Sequence, residues 1–231
     1  MAVPDLIRLL GAVPAYRSRV AHVEVTEPTL PHHGDLEAPL SPALEGFLRQ
    51  NGIRLYSHQC EAINAALAGK NVILTTPTAS VKSLAFNLPV FEMLAADPDA
   101  HALYLYPTKA LANDQLAPLE QISSFTGIPA HAAIYDGDTP QSRRAAIREK
   151  SHIVLSNPYE LHQILCWHAK WRPLLAGLRY IVIDEAHRYR GVFGSHVAFV
   201  LRRLLRVCRH YGSEPRFRLQ RWQTPGNSPI I

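Results

Sequence analysis

At 231 residues, 47% of them apolar, the chain can build one large domain, or one domain with an extension, around a real core. No apolar run approaches the roughly 20 residues of a membrane-spanning helix. The start, Met1-Ala2-Val3-Pro4-Asp5-Leu6, has no charged segment leading into an apolar one, so no signal peptide is expected. A net charge of +5 and a pI near 9.2 suit a polyanionic partner without requiring one. Cys60, Cys166 and Cys208 lie far apart and show no Cys-x-x-Cys spacing, so three reduced thiols in a cytoplasmic protein are expected.

Residues 1 to about 50 carry Pro4, Pro14, Pro28, Pro31, Pro39 and Pro42 and a His32-His33-Gly34 turn signal. This predicts a mostly irregular arm with short helices, one of them over Pro42 to Gln50. From Ile53 onward, short β-branched or aromatic runs alternate with longer helical stretches. The predicted strands are Asn71–Leu74, Ala102–Tyr106, His131–Tyr135, His152–Leu155, Tyr180–Ile183 and Arg216–Leu219. The predicted helices are Ser57–Ala68, Ser83–Leu94, Lys109–Ile122, Gln141–Arg148, Pro158–Leu165 and Ser195–His210. Several strands are continuous apolar runs, as when both faces of a sheet are covered. The fold expected is α/β: a mostly parallel sheet with helices on both faces and ligands beyond the carboxyl ends of its strands. The domain expected spans residues 51–219, preceded by the arm, 1–50, and followed by a divergent tail, 220–231.

The first predicted strand runs into Thr75-Thr76-Pro77-Thr78-Ala79-Ser80-Val81-Lys82-Ser83 and then a helix. Strand, loop, Lys-Ser and helix are the context of a phosphate-binding loop. Amides from Thr76, Pro77, Thr78, Ala79, Ser80 and Val81 onward would line the phosphates (Pro77 lacks the N–H), and the helix N-terminus would add its dipole. Lys82 would reach the β and γ phosphates of ATP, and the Ser83 hydroxyl would ligate Mg²⁺. Taken alone the loop could equally be a polar turn with Ser83 as a helix cap, since it holds no glycine.

The second half of the argument is Tyr180-Ile-Val-Ile-Asp184-Glu185-Ala186-His187, an apolar strand ending in adjacent carboxylates. Asp184 at the strand tip can hold the Mg²⁺ shell, and Glu185 can position and polarise the attacking water. Lys82, Ser83, Asp184 and Glu185 are therefore expected to converge on one nucleotide pocket, with Gln59 at its rim.

Asp184-Glu185-Ala186-His187 resembles motif II of DEAH-type superfamily 2 helicases, whose nucleotide lobe is RecA-like. The resemblance places Lys82, Asp184, Glu185 and His187 in catalysis. Tyr56-Ser57-His58-Gln59 is similar to their Q motif, which implies that Gln59 reads the adenine edge, its amide both donating and accepting; Tyr56 is a candidate stacking partner. Tyr106-Pro107-Thr108-Lys109-Ala110-Leu111 resembles motif Ia and Ser156-Asn157-Pro158 resembles motif Ib. Pro107, Thr108, Lys109, Asp138, Ser156, Asn157 and Pro158 are the implied nucleic-acid contacts, of the backbone-positioning kind. Arg202, Arg203, Arg206 and Arg209, on a helix after motif II, could be a solvated face.

Tyr135-Asp136-Gly137-Asp138-Thr139-Pro140, the run from Asp184 to His196, and Leu201 through Gly212 narrow the resemblance to the Hrq/MrfA group of 3′-to-5′ DNA helicases linked to genome maintenance and repair. It covers roughly residues 40 to 219. It implies DNA, single-stranded or forked, as partner. It also implies a second RecA-like lobe and a zinc-binding C-terminal domain, neither of them in these 231 residues. Two departures stand out. Val81 occupies a loop position where the family has glycine, at a cost on the order of 1–3 kcal/mol if valine takes the same backbone conformation. After Leu219 the family's Ser-Ala-Thr motif III is replaced by Gln220-Arg221-Trp222 and an unrelated run to Ile231. The expectation is a truncated copy, inactive or weakly active; against it stand a catalytically dead lobe that only binds nucleic acid and a degenerate product without activity. A small-molecule kinase leaves Gln59, the motif Ia and Ib strings and Asp184-Glu185-Ala186-His187 unexplained.

Overall fold

The computed structural model describes residues 3–16, 19, 31–76 and 83–222. The chain divides into two compact units, residues 1–31 and 32–231. The first holds one described helix, α1 (Val3–Ala12). The expected arm of residues 1–50 thus divides differently: residues 32–50 belong to the second unit. There α2 (Pro42–Gln50), at its predicted bounds, buries Leu44 and Phe47 in the main core. Before it, Ser57 N–H donates to His32 O at 2.8 Å and Ser41 N–H to the Glu92 carboxylate at 2.9 Å. Gly34 suits this strap, because a Cβ there would stand 3.0 Å from Ser57 Cα and press on the start of α3.

The second unit continues through α3 (Ser57–Leu67), β1 (Val72–Thr76), α4 (Leu84–Ala96), β2 (His101–Leu105), α5 (Lys109–Thr126), β3 (Ala133–Ile134) and α6 (Gln141–Lys150). It ends with β4 (Ile153–Ser156), α7 (Pro158–Cys166), α8 (Arg172–Gly177), β5 (Leu178–Ile183), α9 (Gly191–His210) and β6 (Arg216–Trp222). The six strands form one sheet in the order β1-β6-β5-β2-β4-β3, and every pairing is parallel. Alternate residues feed two cores, as strand geometry requires. Ala102, Tyr104, Ile153, Leu155 and Val182 pack with α2 to α5, whereas Leu103, Leu105, Val154, Ile181 and Ile183 pack with α6 to α9. This is the doubly covered parallel sheet expected from the sequence.

Three local expectations change. The strand predicted over His131–Tyr135 is only Ala133–Ile134, because His131 has φ of 42°, which breaks the extended run. The helix α8 has no counterpart among the predicted elements; Trp171, Leu174 and Leu175 bury it in the second core. β6 runs past Leu219 to Trp222, pairing Leu74 with Gln220, Thr75 with Arg221 and Thr76 with Trp222.

Arg218 lies in mid-β6 with 1% of its surface exposed. Its guanidinium donates to Ala66 O at 3.0 Å, at the end of α3, and to Lys70 O. It also lies 4.5 Å from the Tyr180 ring centroid. The cation thus adds a donor to the Ala66 carbonyl at the helix C-terminus, binds Lys70 O just beyond the helix and complements the helix dipole. Ala66 O also accepts the Gly69 N–H at 2.9 Å, so Arg218→Ala takes one donor from each carbonyl without orphaning Ala66 O and should lower stability by about 1–3 kcal/mol. Arg218→Met, which keeps the packing against Tyr180, should lose less. Urea unfolding of both variants checks this; an unchanged midpoint for Arg218→Ala would show that the buried cation contributes nothing.

Candidate functional site

One row of residues crosses the sheet near its carboxyl edge. Ser156 pairs with Leu105, Leu105 with Ile183, Ile183 with Leu219 and Leu219 with Ile73. Because all strands are parallel, every loop that follows this row leaves from the same side. Those loops hold Tyr106-Pro107-Thr108, Asn157-Pro158, Asp184-Glu185 and the residues after Thr76. β1 and β5 flank β6, so Ile73 and Ile183 in this row stand about 10 Å apart, two strand spacings, and β1 runs three residues further to Thr76.

Asp184 begins one residue beyond the row, its N–H donating to Leu105 O at 3.0 Å. Its Oδ1 accepts the Glu185 N–H at 2.7 Å. Glu185 has φ of 49° and ψ of 39°, the left-handed region, where a residue with a Cβ is strained. Arg188 N–H donates to Glu185 O at 2.8 Å and starts a short 3₁₀ turn, Ala186–Arg188. His187 Nδ1 lies 3.1 Å from Glu185 Oε2, off the line of a hydrogen bond, and is buried without a hydrogen-bond partner. The Tyr189 hydroxyl is also buried and unpartnered. Burial, and then the Asp184 charge, push its phenol well up; burial, Tyr104 and Asp184 do the same for Tyr106. Asp184 is thus a half-buried carboxylate whose charge reaches two neutral phenols. Among the described residues no three or more His, Cys, Asp or Glu gather to hold a metal ion by themselves.

Gln59 is buried, 1% of it exposed, and its Oε1 accepts the Tyr56 N–H at 2.8 Å at the start of α3. The Tyr56 ring already stacks with His33 at 5.1 Å and His58 at 5.5 Å. Thr76 ends β1, and Ser83 precedes α4 in a helical conformation without a side-chain capping bond. Pro77, Thr78, Ala79, Ser80, Val81 and Lys82 lie outside the described residues, as does the tail after Trp222.

On the other half of the edge, Thr108 caps α5, its Oγ1 accepting Leu111 N–H at 3.4 Å, and Asn157 caps α7, its Oδ1 accepting Glu160 N–H at 2.9 Å. Pro107 is half-buried; Thr108 and Lys109 are exposed. Ser156 is buried and its hydroxyl donates to Tyr135 O at 2.7 Å, so it ties a neighbouring loop down, and Pro158 is buried as well. Asp138 is exposed and its carboxylate takes the Lys109 ammonium. That bond raises the Lys109 pKa.

Arg144, which sequence reasoning missed, binds these loops together. Its Nε donates to Thr139 O at 3.0 Å and the guanidinium to Asp136 O at 2.9 Å, Tyr135 Oη at 3.0 Å and Glu160 Oε1 at 3.4 Å. It thus joins the Tyr135–Thr139 loop to the first turn of α7. The signal in the sequence is slight: one of two adjacent arginines on a polar helix, three residues after Gln141.

The DEAD/DEAH box helicase family matches residues 56–216. The uncharacterized ATP-dependent helicase YprA of Bacillus subtilis is 50% identical over 176 residues, 75% of this chain and 24% of that protein. The ATP-dependent helicase HRQ1 of Saccharomyces cerevisiae is 40% identical over 210 residues, 89% of this chain and 19% of that protein. Among solved structures, the DUF1998 helicase MrfA bound to DNA and AMPPNP superposes with a TM-score of 0.85 at 40% identity, over 98% of this chain and 32% of that one. The chain therefore spans between about a fifth and a third of the length of these relatives. No described helix is long and apolar enough to cross a membrane. A DEAH string leaving the edge of a parallel sheet, the family match over residues 56–216 and the likeness to YprA, HRQ1 and MrfA agree: this chain belongs to the DEAD/DEAH box helicases and is similar to the Hrq/MrfA type.

Proposed function

We propose that the chain is the nucleotide-binding lobe of an ATP-dependent 3′-to-5′ DNA helicase of genome maintenance, working in the cytoplasm. Its partner is single-stranded or forked DNA, and it acts together with a second RecA-like lobe and a zinc-binding domain such as the resemblance implies. The observation that carries this is the shared carboxyl edge, where the strand leading into the phosphate loop, the Asp184-Glu185 tip and the two strand-contacting loops all emerge. ATP with Mg²⁺ fits the residues present. Asp184 is a hard oxygen donor at the strand tip, and a cation held there would complete its shell from phosphate oxygens and Ser83. Bound there, ATP supplies the free energy of phosphoryl transfer to water. Glu185 orients and polarises that water, His187 braces the Glu185 carboxylate, and Lys82 neutralises phosphate charge. Thr108, Lys109 and Asn157 face the DNA backbone. Asp138, a carboxylate, holds Lys109 in place and does not itself touch phosphate.

Val81 favours a second reading: a lobe that grips a strand but holds nucleotide weakly. The two readings part in titration calorimetry with a non-hydrolysable ATP analogue. Val81→Gly should bind about tenfold tighter than the natural chain, which corresponds to strain of about 1.4 kcal/mol at that position. Lys82→Ala should abolish binding in both backgrounds. Equal affinity with and without Val81→Gly would dismiss the strain argument, and binding untouched by Lys82→Ala would remove the loop from the site.

A second experiment separates contact from positioning. Lys109→Ala should weaken binding to single-stranded DNA and shallow its salt dependence by about 0.7, the increment expected for a single phosphate. Arg144→Ala should weaken binding with the salt slope unchanged, because it loosens two loops without touching phosphate. Arg144→Lys should fail to rescue, since an ammonium cannot span four acceptors. Fluorescence anisotropy across a salt series reads all three; an altered slope in Arg144→Ala would make Arg144 a direct contact.

A further inference from the structure

α9 carries four arginines and two histidines and no Asp or Glu. Only Val197, Leu204 and Cys208 of this helix are fully buried. Along its outer face run Val192, Phe193, His196, Phe199, Arg202, Arg206 and Arg209, a stripe of about 25 Å at 1.5 Å per residue. Val192, Phe193 and Phe199 are 75%, 53% and 63% exposed. Between this face and α7 lies a groove of about 920 Å³ whose lining contains no carboxylate. The carboxylate of α7, Glu160, is buried and paired with Arg144. The groove is built: Arg203 reaches across it to Leu165 O at 3.2 Å and fixes the two helices together. Its upper end is Pro158 and Tyr159, directly after Asn157, and Tyr159 is 72% exposed.

We propose that this groove is a second strand-binding surface, continuous with the Asn157 loop, which holds single-stranded nucleic acid as it leaves the carboxyl edge. The proposal rests on the reading of the Thr108 and Asn157 loops as strand contacts. Two features identify the ligand as a polyanion with aromatic bases. Every charge in the groove is positive, which suits phosphates and repels none of them. The exposed rings of Tyr159, Phe193 and Phe199 lie next to the arginines, and ring faces beside guanidinium groups are how proteins hold single strands without regard to sequence. The Arg202 guanidinium lies 6.0 Å from the Phe199 ring centroid, so base and phosphate recognition share one site. The rings sit at the end nearest the Asn157 loop and the arginines beyond them. A strand crossing from the loop meets stacking partners first and Arg206 and Arg209 further on.

The test is anisotropy of labelled oligo-dT with the full chain, at a length of about 6 nucleotides, which reaches only the edge loops, and of about 16, which also reaches the groove. The natural chain should bind the longer strand at least tenfold more tightly. Arg202→Ala with Arg206→Ala and Arg209→Ala, and separately Phe193→Ala with Phe199→Ala, should abolish that length preference and leave binding of the short strand unchanged. The arginine variant should also lose about 2 from the salt slope on the long strand, three phosphates at about 0.7 each. Both sets of side chains are exposed, and circular dichroism confirms that the variants fold. Lys109→Ala should weaken both lengths alike. A length preference that survives both groove variants overturns the proposal and leaves the edge loops standing. A preference abolished in the variants while Lys109→Ala changes nothing keeps the groove and removes the loops. If groove variants leave DNA binding intact but alter the mass measured by light scattering, the face is a protein interface and the proposal fails.

Discussion

Leu105 stands where the two halves of the edge meet. Its carbonyl accepts the Asp184 N–H at 3.0 Å, and its register partners are Ser156 on one side and Ile183 on the other. A parallel ladder allows no independent adjustment of these strands. Each side chain is fixed by alternation to one of two packed faces, and a slip of one residue would turn Leu103 and Leu105 out of their core. The loop with Lys109 and the tip with Asp184 are therefore set relative to each other by core packing, not by contacts between the loops. The ladder is thus the physical link between the two loops: β5 cannot shift along its axis without carrying β2 or breaking their shared hydrogen bonds.

The loops beyond that edge need a different kind of support, because they lie outside the ladders. Arg144 supplies it by occupying four acceptors on two segments at once, and a planar guanidinium is suited to that geometry. Glu160, 5% exposed, would be costly to bury alone and is held by the same cation. Lys109 and Asp138 form a second, exposed tie, from the same loop to the start of α5. Screening makes that pair weak. It can open when a phosphate competes for the ammonium, whereas the Arg144 network, partly buried, persists.

Much of this is legible from residue order. Asp184-Glu185-Ala186-His187 at the end of an apolar run, and a Lys-Ser loop at the end of another, require only that both strands be parallel, and βαβ alternation predicts that. What is not legible depends on contacts distant in sequence. Arg216 and Arg218 alternate with Phe217 and Leu219, so period 2 alone puts both arginines on one face. In the structure that face is exposed at Arg216 and buried at Arg218, because the carbonyls at the end of α3 and the Tyr180 ring lie over the latter. Arg144 is hidden for the same reason: its partners are identified only once α6 lies beside α7. His131 shortens β3 through a backbone conformation that propensity gives no warning of. Gln59 stands out in the sequence as more than a surface residue, yet its burial and its bond to the Tyr56 N–H are not legible there.

The strain at Glu185 is the remaining step. A non-glycine residue at φ of 49° persists only where its surroundings over-determine it. Here two hydrogen bonds do so, Glu185 N–H to Asp184 Oδ1 and Arg188 N–H to Glu185 O. The first uses the carboxylate that would also attract a cation. A cation drawing on the same Asp184 oxygen would compete with the bond that holds Glu185 in its strained turn, with His187 3.1 Å from the Glu185 carboxylate. The neighbouring unpartnered atoms, His187 Nδ1 and Tyr189 Oη, are places where a rearranged turn can gain hydrogen bonds that this state lacks. The strain at Glu185 is thus held by the Asp184 carboxylate itself, at the strand tip that lies against β2.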